Sequence, residues 1–251
     1  MLLAIDVGNT QTVFGLFEAD ELKEQFRVGT DRTNTGDELA VLLRALVDVR
    51  ALDGIVLCSS VPALVREYEG FASRWARARL LVLGPGVDAG ITIRYDDPRE
   101  VGPDRIANSV AVRARHGAPA VVVDFGTSTN FDVVNAAGEF AGGVLAPGVE
   151  ISMDALFARA ARLGKIPFVA PERVISQTTT TALQSGLVYG FAGQVDAIVA
   201  RILDELGADG APVVATGGLA DLIAPHAQTV TAVDGELTLQ GLRLVWERNA
   251  G

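Results

Sequence analysis

Two short stretches of the chain place an aspartate and small polar residues directly after an apolar run. The first is DVGNT, with Asp6, Gly8, Asn9 and Thr10, and the second is DFGT, which begins at Asp124, 118 residues later. A turn of this composition presents backbone N–H groups and hydroxyls to phosphate oxygens, while the carboxylate holds a cation directly or through water. The alternative is that each aspartate only accepts hydrogen bonds within its own turn. The repetition favours a phosphate-binding role.

A third stretch, GPDR, supplies a candidate acid or base. Pro103 is suited to the first turn of a helix, and Asp104 in that turn is stabilised by the helix dipole, which alone is a sufficient reason for an acidic residue there. In a functional role, the Asp104 carboxylate would accept a proton from an attacking hydroxyl, and Arg105 would orient an anionic substrate. Farther along, the glycines in VVATGGLA allow backbone to approach a flat ring closely.

Composition narrows the classes of protein that fit. The net charge of −10 argues against a nucleic-acid or membrane-surface partner, because both reward clustered Lys and Arg. Cys58 lies in an apolar run and is interpreted as a buried thiol, and the two histidines are isolated, so a histidine metal site is disfavoured. We find no apolar stretch near the ~20 residues of a membrane span and no leader pattern, so we expect a soluble, cytoplasmic protein.

The repeat predicts a duplicated α/β fold. Each half opens with an antiparallel hairpin and continues with alternating helices and strands, which gives domains of residues 1–115 and 116–251. Thr35 and Glu38 match a capping box, which predicts the start of a helix, and further helices are predicted from Pro62 to about Arg79 and in the C-terminal LTLQGLRLVWERN. GGVLAPG contains three glycines and a proline, so we expect an irregular loop there, followed by a helix over 149–163. The long helix that begins near TALQSG carries Gly186, Gly190 and Gly193 on one side, which suggests close packing against another helix, possibly of a second subunit.

Five motifs together resemble those of the type III pantothenate kinase family: DVGNT, GPDR, DFGT, GGVLAPG and TTALQSG, in this order and over essentially the whole chain. The family belongs to the superfamily of acetate kinase, sugar kinases, Hsp70 and actin. The resemblance implies two duplicated actin-like (ribonuclease H-like) domains, each a mixed sheet flanked by helices, with the active-site cleft between them. It also implies a homodimer with the active site at or near the interface.

The resemblance implies roles for individual residues. Asp104 matches the catalytic base, Asp124 the site of a monovalent cation (potassium or ammonium), and Asp6 an indirect ligand of Mg²⁺. The residues that match ATP contacts are Asp6, Val7, Gly8, Asn9, Thr10, Gln11, Thr12, Val13 and Thr127. The residues that match pantothenate contacts are Tyr95, Gly102, Pro103, Asp104, Arg105 and Thr179, although Thr179 lies in a run of four threonines and a neighbour is an alternative.

The expected function is therefore ATP-dependent phosphorylation of pantothenate to 4′-phosphopantothenate, the first step of coenzyme A biosynthesis. Two alternatives stay open at the level of sequence. One is another small-molecule kinase of the same superfamily, which the two aspartate turns alone would permit, although GPDR and TTALQSG argue against it. The other is a non-catalytic nucleotide-binding regulator, which could dispense with Asp104 and the Asp6 turn, yet both are intact.

Overall fold

The structure, a computed structural model, describes residues 1–160 and 164–250. Its first sheet has five strands in the order β3-β2-β1-β4-β5. These strands are β1 Leu2–Val7, β2 Gln11–Glu18, β3 Glu21–Gly29, β4 Gly54–Ser59 and β5 Arg79–Val82. β1, β2 and β3 pair antiparallel, whereas β1, β4 and β5 pair parallel, so the predicted hairpin and the mixed sheet are confirmed.

Helices cover both faces of this sheet. Helix α1 (Gly36–Leu46) begins at the predicted capping box, in which Thr35 and Glu38 bond each other's backbone N–H groups. Helix α2 spans Pro62–Phe71 and continues as a π-helix over Ala72–Ala76, so the helical stretch ends shortly before the predicted end near Arg79. α1 and α2 share a hydrophobic core with alternate residues of β1 and β4, namely Leu3, Ile5, Val7, Ile55 and Leu57.

The remaining helices of this part of the chain are α3 (Pro103–His116) and α7 (Leu237–Asn249), both at the predicted positions. α7 contacts β1, β2 and β4. Two glycines make that packing possible, since a Cβ at Gly54 would collide with the Trp246 ring and one at Gly241 would collide with the Ala107 carbonyl of α3. The C-terminal helix α7 therefore packs against one face of the first sheet.

The second sheet repeats the topology of the first. Its order is β10-β9-β6-β7-β8. In the topology, β6 corresponds to β1, β7 to β2, β8 to β3, β9 to β4 and β10 to β5. The strands are β6 Ala120–Phe125, β7 Ser128–Val134, β8 Phe140–Pro147, β9 Val213–Gly217 and β10 Ala232–Val233. β1 and β6 start 118 positions apart, as the repeated motif predicts. The two-residue strand β10 was not predicted.

The prediction of an irregular loop at GGVLAPG was wrong, because its first six residues belong to β8 and Gly148 is the N-cap of α4. β8 is an edge strand that pairs with β7 alone among the strands, so it tolerates residues that a central strand does not. Gly142 adopts a φ of +117°, and Pro147 is the last residue of the strand. The glycines and the proline thus mark an irregular edge and not a loop.

Helices α4 (Val149–Arg159), α5 (Thr179–Leu206) and α6 (Ala220–Ile223) pack with the second sheet around its own core. The predicted end of α4 at residue 163 lies outside the described residues. α5 is long and apolar enough, by length and composition alone, to cross a membrane, contrary to the expectation from sequence. One such helix is weak evidence for a span, because helices of soluble proteins pass the same test.

The chain groups into two compact units. The first comprises Met1–Ile91, Asp96–Ala111 and Leu237–Gly251, and the second comprises Thr92–Tyr95 and Val112–Glu236. The grouping differs from the predicted continuous domains mainly at the C-terminus, since α7 packs on the first sheet. A boundary drawn from sequence order could not anticipate that return.

Candidate active site

The first aspartate turn connects β1 to β2. Asp6 is half-buried near the end of β1, and the Gly8 N–H donates a hydrogen bond to the Gln11 carbonyl over 3.0 Å. A Cβ at Gly8 would lie 2.9 Å from that carbonyl oxygen, so the turn is closed tightly enough to require glycine. Asn9, Thr10 and Gln11 are exposed. The turn therefore presents polar groups to solvent next to a carboxylate.

The eight consecutive residues from Asp6 to Val13, all predicted to contact ATP, do not share one environment. Val7 lies in the hydrophobic core, and Thr12 is 3% exposed. Val13 is half-buried in β2. The side chains of Val7 and Thr12 thus support the turn from within, whereas those of Asn9, Thr10 and Gln11 are accessible.

A cysteine holds the Asp6 carboxylate. Asp6 and Cys58 are register partners on the parallel strands β1 and β4, on the face opposite the α1 and α2 core. The buried Cys58 thiol donates a hydrogen bond to Asp6, with Sγ 3.2 Å from Oδ1. Burial, followed by the negative charges of Asp6 and Asp104, raises the pKa of the Cys58 thiol well above its ordinary value. The sequence predicted a buried thiol but not this contact.

Asp104 lies at the N-terminus of α3, as predicted. Its carboxylate accepts hydrogen bonds from its own N–H and from that of Arg105. Burial raises the pKa of Asp104 above the ordinary aspartate value, and the two N–H groups and the Arg105 guanidinium offset that shift only in part. A Cβ at Gly102 would collide with the Asp104 carboxylate, so the glycine makes room for this side chain. Asp104 is thus an acidic group with an increased affinity for a proton.

Strand β3 and the residues after it also reach the Asp6 turn, which the sequence analysis missed. Arg32 donates to the Asn9 side chain, with Nη2 2.9 Å from Oδ1, and Arg27 donates to Gln11, with Nη1 2.8 Å from Oε1. Thr30 hydrogen-bonds the carbonyl groups of the turn. The one available signal was the continuation of the hairpin into a third strand, which brings residues about 20 positions apart together.

The second aspartate turn has a comparable setting in the second unit. Asp124 in β6 is paired with Asn130 of β7 and with Thr216 of β9. Gly217 has a φ of +91°, and a Cβ there would lie 2.6 Å from Asp124 Oδ1 and from the Phe125 carbonyl oxygen. The exposed Thr127 follows in the turn. The carboxylate therefore lies beside close-packed backbone, including a carbonyl oxygen, which is the ligand type that hard cations prefer.

Two further predicted residues lie elsewhere in the second unit. Tyr95 is half-buried against β8: its ring centroid is 6.1 Å from that of Phe140, and a Cβ at Gly142 would be 3.7 Å from its ring. Thr179 is the first residue of α5 and is exposed. Thr178 caps the helix by accepting from the Thr181 N–H, and the hydroxyls of these two residues are 2.8 Å apart.

No three side chains of His, Cys, Asp or Glu converge as a metal cluster within residues 1–160 and 164–250. Asp132, whose role the sequence left open, is wholly buried in β7 opposite Val122 and Gly143. The chemically useful groups of the described chain are thus the two aspartate turns and the Asp104 helix start.

Solved structures share this fold. A chain described as a Baf family transcriptional activator from Campylobacter jejuni matches with a TM-score of 0.60 at 18% identity, covering 99% of this chain and 98% of that one. The (R)-2-hydroxyglutaryl-CoA dehydratase component A of Acidaminococcus fermentans matches with a TM-score of 0.58 at 13% identity, covering 100% of this chain and 99% of that one. The ROK hexokinase of Thermus thermophilus matches with a TM-score of 0.50 at 13% identity, with the same coverage of the two chains. The molecule is therefore a protein of two duplicated actin-like domains, as expected.

Comparison of the amino-acid sequence identifies the family, whereas the structural matches show only the fold. The type III pantothenate kinase family model matches residues 2–201. The type III pantothenate kinase of Acidothermus cellulolyticus is 54% identical over 99% of both chains, and that of Frankia alni is 51% identical over 99% of this chain and 100% of its own. The chain belongs to the type III pantothenate kinase family.

Proposed function

We propose that this chain transfers the terminal phosphoryl group of ATP to the primary hydroxyl of pantothenate, giving 4′-phosphopantothenate for coenzyme A biosynthesis. The observation that carries the proposal is identity of about half of all residues, over the full length, to type III pantothenate kinases. Both aspartate turns and the Asp104 helix start are formed in the described structure.

Asp104 is the proposed base. Its raised pKa increases its affinity for a proton, and a base works best when its pKa approaches the working pH. As the pantothenate hydroxyl attacks the terminal phosphorus, its proton passes to the Asp104 carboxylate, and the bond from phosphorus to the ADP oxygen breaks. Gly102, Pro103 and Arg105 are proposed to surround the substrate, with the Arg105 guanidinium oriented toward its anionic end.

The Asp6 turn is proposed to receive the ATP phosphates, with Thr127 as a further ATP contact from the second unit. The tight turn at Gly8, its exposed polar residues and the half-buried Asp6 carboxylate fit a Mg²⁺–phosphate ligand. Mg²⁺ held indirectly by Asp6 would neutralise charge on the phosphates. The turn itself binds and orients the nucleotide, and most of the rate enhancement then comes from positioning and electrostatics.

Asp124 is proposed to hold a monovalent cation, potassium or ammonium. The support is its carboxylate beside the Phe125 carbonyl and the close approach of Gly217, where a Cβ would fill the space next to Oδ1. A carboxylate beside a backbone carbonyl oxygen offers the oxygen ligands that hard cations prefer. In this role Asp124 contributes fixed negative charge and takes no part in proton transfer.

Tyr95 and Thr179 are proposed pantothenate contacts. Because Thr178 and Thr181 hydrogen-bond each other at the start of α5, the exposed Thr179 is the better candidate than either of them. Tyr95 would supply an aromatic surface that packs on Phe140.

We also propose a cytoplasmic homodimer formed along α5, with no membrane or nucleic-acid partner. A Cβ at Gly186, Gly190 or Gly193 would meet nothing within 4 Å in the described part of the chain, which leaves this face accessible to a helix of a second copy. Replacement of Gly190 by Leu is expected to shift the molar mass measured by light scattering from dimer to monomer. A wild-type mass of one chain would contradict the proposal.

The test of function is release of ADP with ATP and Mg²⁺, with and without pantothenate, in potassium and in sodium. ADP release that requires pantothenate and yields a phosphorylated product supports the proposal. Release with a sugar or another acceptor instead would identify a different kinase of this superfamily. Nucleotide binding without turnover on any acceptor would indicate a regulator.

A further inference from the structure

Thr30, the residue after β3, joins the Asp6 turn to the core of the first unit through hydrogen bonds. Its backbone N–H donates to the Thr10 carbonyl (2.9 Å), and its hydroxyl donates to the Gly8 carbonyl (2.8 Å). Its Oγ1 also lies 2.9 Å from the Thr12 Oγ1. One side chain and its amide thus engage both carbonyl groups that flank Asn9.

The donor in each of these hydrogen bonds can be assigned, because each hydroxyl carries a single hydrogen. Because the single Thr30 hydroxyl hydrogen is donated to Gly8, Thr12 must be the donor to Thr30. Thr12 is 3% exposed, so the series of hydrogen bonds starts in the core of the first unit, where aligned hydrogen bonds strengthen one another.

The hydrogen bonds from Thr30 fix the orientation of two peptide planes. In a planar trans peptide, the carbonyl of one residue and the N–H of the next point in opposite directions. The bonds from Thr30 to the Gly8 and Thr10 carbonyls therefore turn the N–H groups of Asn9 and Gln11 away from Thr30. Two backbone donors that point away from the supporting strand form the arrangement that binds an anion.

We propose that Thr30 is a positioning residue for the nucleotide phosphates: it holds the Asp6 turn with the Asn9 and Gln11 N–H groups directed at the anion, and the buried Thr12 hydroxyl holds Thr30 in turn. Thr30 itself does not touch the reacting atoms. The inference rests on the proposed function in that it takes the Asp6 turn as the phosphate site. It predicts a defect specific for phosphate, because the groups that it orients are donors to an anion.

The test compares Thr30→Val, which keeps the branched shape and removes the hydroxyl, with Thr30→Ser, which restores it. Thr33→Val is the matched control, because Thr33 is exposed in the same loop and its hydroxyl bonds only the local Asp31 among the described contacts. Calorimetry on the full chain measures binding of a non-hydrolysable ATP analogue and of adenosine, and steady-state assays give KM for ATP and for pantothenate.

For Thr30→Val we expect roughly tenfold weaker binding of the ATP analogue, the loss typical of one or two net hydrogen bonds. Adenosine binding and KM for pantothenate stay unchanged, KM for ATP rises, and Thr30→Ser and Thr33→Val resemble wild type. Retained affinity for the analogue, or parallel losses of analogue and adenosine binding, would overturn the proposal. If Thr30→Val does not fold, Thr30→Ala, which also lacks the hydroxyl, must show the same selective loss of binding to the ATP analogue, and unaltered selectivity then refutes the proposal.

Failure of the proposed function is recognised separately. If wild type binds the ATP analogue but does not phosphorylate pantothenate, the substrate assignment fails. The affinities of the Thr30 variants for the analogue and for adenosine still test whether Thr30 positions the phosphate-binding groups.

Discussion

The Cys58 thiol donates a hydrogen bond to the Asp6 carboxylate, with Sγ 3.2 Å from Oδ1. The contact exists because β1 and β4 pair parallel and bring the two residues into register. The pKa of the thiol is raised by burial and then by the charges of Asp6 and Asp104, so the donor keeps its hydrogen at neutral pH. A neutral thiol, not a thiolate, therefore lies behind the proposed phosphate site.

Cys58 should consequently resist alkylation in the folded protein. The thiolate is the reactive form, and both burial and the raised pKa suppress it. Iodoacetamide at mildly alkaline pH is expected to leave the native chain unmodified by mass spectrometry, whereas the same treatment in guanidinium adds one label. Rapid labelling of the native chain would contradict the buried, protonated thiol.

Asp104→Asn should reduce turnover by ~10²–10⁴-fold, the usual contribution of a positioned base. Because the pKa of Asp104 is raised, the acidic limb of the wild-type kcat/KM profile should lie above the ordinary aspartate range of ~3.9. Asp20→Asn, at an exposed turn, serves as the control. Activity of Asp104→Asn within tenfold of wild type would rule out the base assignment.

The same substitution should stabilise the fold at neutral pH. A carboxyl whose pKa is higher in the folded than in the unfolded chain contributes stability below the unfolded value of ~3.9, and loses it as pH rises through the folded pKa. Replacing the charged Asp104 by a neutral isostere removes that loss. Urea unfolding should show Asp104→Asn to be more stable than wild type at pH 7, with the difference shrinking toward pH ~4. Equal stability at neutral pH would argue against a burial cost for this carboxylate.

Gly102→Ala tests the position of Asp104 without changing its chemistry. The added Cβ would collide with the carboxylate and displace it, and a shift of about 1 Å can lower turnover by ~10²-fold. Gly70→Ala is the control, because a Cβ there meets nothing within 4 Å. The assay is kcat at saturating substrates with unfolding followed in parallel, and wild-type turnover in Gly102→Ala would mean that the carboxylate acts from another position.

Asp124→Asn tests the proposed cation site. Loss of the negative charge should remove the preference for potassium, so the ratio of activity in potassium to that in sodium approaches one while the chain stays folded. Asp209→Asn, at an exposed loop position, provides the comparison. An unchanged potassium response would exclude Asp124 as the cation ligand.

Sequence reasoning succeeded where local chemistry determines the outcome. The repeated aspartate turns predicted two sheets of the same topology, and the capping box at Thr35 and Glu38 predicted the start of α1. Turn residues, caps and apolar runs act over a few positions, so they can be read without tertiary contacts. The same is true of Pro103 at the start of α3.

Sequence reasoning failed where contacts between residues far apart in the chain determine the structure. β8 reads as a loop by composition, and only its place at the edge of the sheet explains a strand that contains Gly142 and ends at Pro147. Thr30 and Cys58 carry no motif, because their contacts with the Asp6 turn come from strand pairing across about 20 and 50 positions. The packing of α7 on β1, β2 and β4 likewise joins segments that are far apart in the chain.

The return of α7 to the first sheet has a consequence for biosynthesis of the chain. The strand that carries Asp6 is synthesised long before α7, the helix that covers one face of it. The second unit lies wholly upstream of α7, so it can fold while α7 is still to be made, whereas the first unit stays incomplete until α7 emerges from the ribosome. The Asp6 turn is thus made early and has its supporting helix added late.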